Sequence, residues 1–203
     1  REGARYIKSV FNTKAGVASL LLSVAFFALG LAIGYDLYYS VSSFEKVAED
    51  VKRAVVGEAF SNVPRESHLL FLNIFLNNVV VLIAIVYSSI PYLVFCPLGT
   101  LLYNGMLIGF LYPAIVKAIG FRKTIAGLLP HGVLELSAVF IGAALSVRAS
   151  LRFISSAIRG EDAAAVLARE YKQAVKALLV LFFVLLVAAF IEAFITPLVM
   201  EIV

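Results

Sequence analysis

The sequence predicts an all-α, polytopic transmembrane bundle of about five spans, with the N-terminus inside, a broken fourth span and an external amphipathic helix. Three observations carry this prediction. Hydrophobic residues make up 62% of the 203 positions and charged residues only 15%, with a mean hydropathy of +0.99, far outside soluble usage. Apolar runs recur at the roughly 20 residues that a helix needs to cross a bilayer core about 30 Å thick. Lysine and arginine fall between those runs, where juxtamembrane cations belong. A soluble globule is excluded, and so is a disordered chain, which needs low hydrophobicity and high charge. The net charge of +4 therefore points to the lipid bilayer as partner and not to nucleic acid.

The spans read as residues 16–39, 69–87, 90–116, 124–147 and 177–200, forming a single transmembrane helical domain over residues 1–203. The first run is too long for the h-region of a signal peptide and is expected to remain in the protein. Placing the N-terminus in the cytoplasm puts ten basic residues inside and seven outside, so a multi-pass protein of the cell membrane, N-in and C-out, is expected. Tyr35, Tyr38, Tyr39, Tyr87, Tyr92 and Tyr112 fall near span ends, as amphipathic rings at the headgroup level should.

Three polar segments also carry helical patterning. Tyr6, Ile7, Val10 and Phe11 alternate at helical spacing with Arg5, Lys8 and Lys14, which suits a short interfacial helix. Over residues 43–60, Ser42 and Glu45 have capping-box spacing, and Phe44, Val47, Ala48, Val51 and Val55 share one face. That helix either packs on the bundle or serves as a membrane wedge or partner groove. Residues 162–176, with Asp162 as N-cap and no breaker before the last span, extend that span as a cytoplasmic helix.

Polar side chains inside hydrocarbon cost a few kcal/mol unless paired, so each invites a functional hypothesis. They are Asn73, Asn77 and Asn78 in the second span, Asn104 in the third, His131 and Glu135 in the fourth, and Glu192 in the fifth. Rotated toward one another, Asn73, Asn77, Asn78, Asn104, His131 and Glu135 would form one polar intramembrane centre. Plain interhelical hydrogen bonding is the alternative for the asparagines. Pro130 lacks an N–H, and Gly127 and Gly132 weaken the helix around it, so Pro130 and Gly132 mark an expected helix break. A half-helix starting there would offer backbone amides to an anion beside His131 and Glu135, a device of transporter binding sites; a buried His–Glu hydrogen bond locking a bent helix is the alternative.

No metal site is expected, since His131 and Glu135 have no second histidine on a neighbouring span. No nucleophile–base pattern occurs in the spans, and Cys96 lies before Pro97 in an apolar setting, so neither catalytic residues nor a cofactor are expected and an enzyme is disfavoured. Gly30 with Gly34, and Gly105 with Gly109, match GxxxG. Such stripes let helix backbones approach closely, here more readily within one chain than between copies.

The stretch holding Asn77-Asn78, Gly99, Asn104-Gly105, Gly109 and Leu129-Pro130-His131-Gly132-x-x-Glu135-Leu136 resembles the stage II sporulation protein M family over roughly residues 70–148. The resemblance implies a five-span helical protein without enzymatic activity of its own. In sporulating bacteria, members scaffold peptidoglycan-degrading partners that drive membrane migration during engulfment. The function expected for this chain is a non-enzymatic membrane scaffold that organises other membrane proteins, or homo-oligomerises, to shape or remodel a membrane. The rival is a transporter or channel with a mid-membrane site at His131 and Glu135.

Overall fold

The computed structural model describes residues 2–40, 67–88 and 95–202. The amphipathic helix expected over residues 43–60 and the first residues of the expected third span lie outside these. Among the described residues the regular structure is entirely helical. In chain order the helices are α1 (Glu2–Phe11), α2 (Lys14–Ser40), α3 (Ser67–Tyr87), α4 (Phe95–Ile119), α5 (Phe121–Ile158) and α6 (Ala163–Phe190), followed by a π-helical turn (Ile191–Ile195) and α7 (Thr196–Ile202). Five helices, the last running through the π turn to Met200, are long and apolar enough to cross a membrane.

The tightest packing joins α2 to α4, and it follows from the glycines. A Cβ on Gly30 would lie 2.1 Å from the Leu102 carbonyl oxygen, and one on Gly34 2.0 Å from that of Met106. Reciprocally, Cβ atoms on Gly105 and Gly109 would lie 2.2 Å from the carbonyl oxygens of Phe27 and Leu31. Both GxxxG stripes thus face each other inside one chain, and backbone meets backbone where any side chain would hold the helices apart. On the same face of α2, buried Ser19 and Ser23 donate to the carbonyls of Ala15 and Ser19 one turn back, at 2.9 and 2.8 Å. Their hydroxyls are satisfied within the helix, so small polar residues serve as packing surface.

The second core forms where α3 lies across α5 and α6. Leu82, Val86, Ala138, Ala174, Leu178, Leu181 and Leu185 are its buried members. Small residues again set the distance: a Cβ on Gly142 would lie 2.5 Å from Leu82 Cδ1. Phe27, Ile85, Leu101 and Ala143 connect this core to the α2–α4 pair.

Helices α5 and α6 form an antiparallel hairpin. At 38 residues, α5 is about 57 Å long, nearly twice a hydrocarbon core. Gly160 ends it at φ +70°, donating to Ala157 O while Glu161 donates to Ser156 O. This is a Schellman closure, which needs a left-handed residue at that position. Asp162 then accepts from Ala165 N at 3.0 Å and starts α6. Residues 163–176 form the first part of α6 itself, continuous with the last span.

The expected break in the fourth span is not present. Residues 121–158 are α-helical without interruption, with Pro130 inside the helix and Gly132 outside the positive-φ region. Pro130 removes one hydrogen bond, and packing of α5 against α2, α3, α4 and α6 outweighs that local cost. Pro130 and Gly132 are therefore positions within a helix and do not create a half-helix terminus. The irregularity lies in the opposite helix, where the Thr196 N–H reaches Ile191 O across the π turn.

Candidate functional site

Within α5, His131 and Glu135 are one helical turn apart and share a face. That face meets α3 and the π turn. Asn78 of α3 donates its side-chain amide to Glu135 Oε1. From the other side, Glu192 Oε2 stands 3.9 Å from His131 Nε2, and Thr196 Oγ1 stands 3.4 Å from His131 Nδ1. One donor atom from each of His131, Glu135 and Glu192 lies within 4.8 Å of the others. His131 is only 8% exposed. The cluster thus combines an imidazole, two carboxylates, an amide and a hydroxyl contributed by three transmembrane segments.

The π turn has a direct role in this arrangement. Inserting one residue into a turn shifts the register of everything after it, and such bulges recur at functional sites. Here it carries Glu192 itself and lets Thr196, buried at 7% exposure, meet the same imidazole. From sequence, His131 and Glu135 are the ligands counted and Glu192 is an intramembrane acid of open aim; the fold brings it to the other two. One imidazole and two carboxylates are a donor set capable of holding a divalent ion, and the same groups could pass or store a proton.

The other amides lie elsewhere. Asn73 and Asn77 are exposed on α3, facing away from the cluster. Asn104 donates to Thr100 O of its own helix at 2.8 Å and not to the cluster. Of the six residues grouped from sequence, Asn78, His131 and Glu135 come together and Asn73, Asn77 and Asn104 do not. Gly30, Gly34, Gly105 and Gly109 form the α2–α4 contact and take no part in the site.

A second polar centre, unforeseen from sequence, lies at the hairpin end. Glu170 of α6 is only 4% exposed and accepts from Arg148 at 2.7 Å, Arg152 at 2.5 Å and the Tyr6 hydroxyl at 2.9 Å. Arg148 also donates to the Tyr6 oxygen at 3.2 Å, with its guanidinium over the Tyr6 ring at 5.9 Å. Burial, followed by the neighbouring Glu170 charge, raises the Tyr6 phenol well above its ordinary range, so it serves as a permanent donor. Lys176 pairs with Glu2 at 2.8 Å and holds that exposed carboxyl below its ordinary value. Gly3 permits this docking, because a Cβ there would lie 1.9 Å from Lys176 O. Short α1 is therefore clamped onto α5 and α6 instead of lying free on a surface. The available signal was the i, i+4 spacing of Arg148 and Arg152, two guanidiniums on one face awaiting an acid.

These features define a class: a helical membrane bundle with a buried ionisable cluster between its helices and a charged clamp toward the α5–α6 hairpin end. A family model described as stage II sporulation protein M matches residues 23–197, and the chain belongs to that family. It is 26% identical over 182 residues to an uncharacterized protein of Methanocaldococcus jannaschii, covering 88% of this chain and 93% of that protein. No solved structure matches.

Proposed function

We propose that the protein is a non-enzymatic, multi-pass scaffold of the cell membrane, N-terminus inside, that organises other membrane proteins or further copies of itself to shape the bilayer. The observation that supports this reading is the α5–α6 hairpin. Residues 148–158 of α5, about 17 Å of helix, extend past the expected fourth span, and the Glu170 clamp ties Arg148 and Arg152 there to α6. Residues 148–176 carry six basic and three acidic side chains, among them exposed Arg159, Arg169 and Lys172. A rigid basic projection suits acidic partner segments and anionic lipid surfaces. Lipid, sister copies and membrane-associated proteins are its partners in this reading, and nucleic acid is not. The test is crosslinking in native membranes with mass spectrometry, comparing wild type with Arg159→Glu/Arg169→Glu/Lys172→Glu. Foreign partners captured by wild type and lost in the variant are expected. An identical set in both, or an empty one, overturns the hairpin as the docking element.

A second reading, transport or conduction of ions, is favoured by the convergence of His131, Glu135 and Glu192. It predicts proton or cation flux in proteoliposomes that Glu135→Gln abolishes. Equal leak from protein-free vesicles removes it.

A further inference from the structure

We infer that His131, Glu135 and Glu192 form a binding site for one divalent transition-metal ion, of which zinc is the simplest representative. The inference goes beyond the scaffold reading and stands or falls separately from it.

Distance is the first argument. Two donors bound at about 2.1 Å to one ion are separated by about 3.4 Å in tetrahedral geometry and at most about 4.2 Å. The imidazole Nε2 and Glu192 Oε2 are 3.9 Å apart, too far to hydrogen-bond and inside the range for two ligands of one ion. All three donors lie within 4.8 Å, so closing the widest pair to the tetrahedral separation of about 3.4 Å takes side-chain movement of about 1.4 Å shared between two residues.

The state of the histidine is the second. Buried imidazoles ordinarily make good hydrogen bonds through their nitrogens, yet His131, 8% exposed, has only the 3.4 Å contact from Nδ1 to the Thr196 hydroxyl. Its Nε2 is directed toward a carboxylate beyond hydrogen-bonding reach. Metal-bound histidines typically carry this division, one nitrogen on the ion and the other held by an outer partner. Asn78 holds Glu135 from the α3 side, donating to one of its carboxylate oxygens.

Charge is the third. Two carboxylates in a hydrocarbon slab are expensive unless compensated. A divalent cation with a neutral imidazole and two carboxylates is net neutral. The imidazole nitrogen selects transition ions over magnesium and calcium, which prefer all-oxygen shells.

The test uses the full chain in detergent, stripped with chelator, reloaded with Zn2+ and dialysed. About one zinc per chain is expected, unaffected by millimolar Mg2+, with an absorption-edge spectrum showing nitrogen and oxygen neighbours and no sulfur. His131→Gln and Glu192→Gln should weaken zinc binding by more than the roughly 100-fold that outer-partner losses reach, whereas the surface control Glu161→Gln should not. Retention of no zinc, displacement by Mg2+, a sulfur signal implicating Cys96, or equal retention by both variants would overturn the assignment. Should either variant misfold, the wild-type spectrum alone decides, since it must contain a single imidazole.

Discussion

Replacing Gly34 by alanine separates a packing glycine from an incidental one by the sign of its effect. In an ordinary helical position the change stabilises, because alanine exceeds glycine in helix propensity by about 1 kcal/mol. At Gly34 the new Cβ would stand 2.0 Å from the Met106 carbonyl oxygen. Restoring a 3.4 Å contact requires α2 and α4 to part by about 1.4 Å. The obstacle is backbone, which cannot rotate away, so the upper end of the overpacking range, about 3 kcal/mol, applies. The net expectation is a loss of about 2 kcal/mol, or about 4–8 °C in melting temperature for a chain of this size. Gly99 on α4 is the internal control, since a Cβ there meets nothing within 4 Å, and Gly99→Ala should hold or raise the midpoint. Thermal unfolding of both variants in one detergent measures the pair. If Gly34→Ala is as stable as wild type, the reciprocal glycine contact is not what joins α2 to α4.

The remaining predictions concern the clamp and α5. Glu170→Ala leaves the largely buried Arg148 without its acid and should cost about 3–5 kcal/mol, with half-exposed Arg152 adding little; faster amide exchange confined to α1 and the adjoining ends of α5 and α6 would register it. Glu2 has its carboxyl held below the ordinary value of 4.5 by Lys176, so its contribution is complete above that value and disappears as pH falls through the lower folded value. Exchange in α1 should therefore rise on acidification below about 4.5, and Glu2→Gln should flatten that step. Pro130→Ala restores an N–H within a continuous helix and should raise the melting temperature; a fall would mean that the proline shapes α5 in a way its helical conformation does not disclose.

Spans were legible because hydrophobic length is a one-dimensional property that the bilayer reads directly. The GxxxG pairs were legible as packing surfaces for a related reason: two glycines at four-residue spacing have no other use in an apolar helix, although which helix they meet is a matter of tertiary arrangement. Pro130 misled because proline acts locally while α5 is held along 38 residues by neighbours. Three of the four amides were misassigned since membership depends on helix rotation, and Asn104 has an acceptor one turn away in its own helix. Glu192 was visible as an intramembrane acid, but its aim depends on a π turn that no residue in Ile191–Ile195 announces. The Glu170 clamp joins Tyr6 to a residue 164 positions later, a pairing to which no local pattern refers.

That separation imposes an order on biogenesis. Helix α1 leaves the ribosome well before its anchor, because the carboxylate that holds it is made 164 positions after Tyr6. At translation rates of 5–20 residues per second, α1 waits roughly 8 to 30 s for its partner. During that interval Tyr6 lacks its carboxylate acceptor, and Arg148 and Arg152 precede their acid as uncompensated cations on α5. Arrival of Glu170 then supplies both guanidiniums with their acid and turns two loose cations into a structural joint.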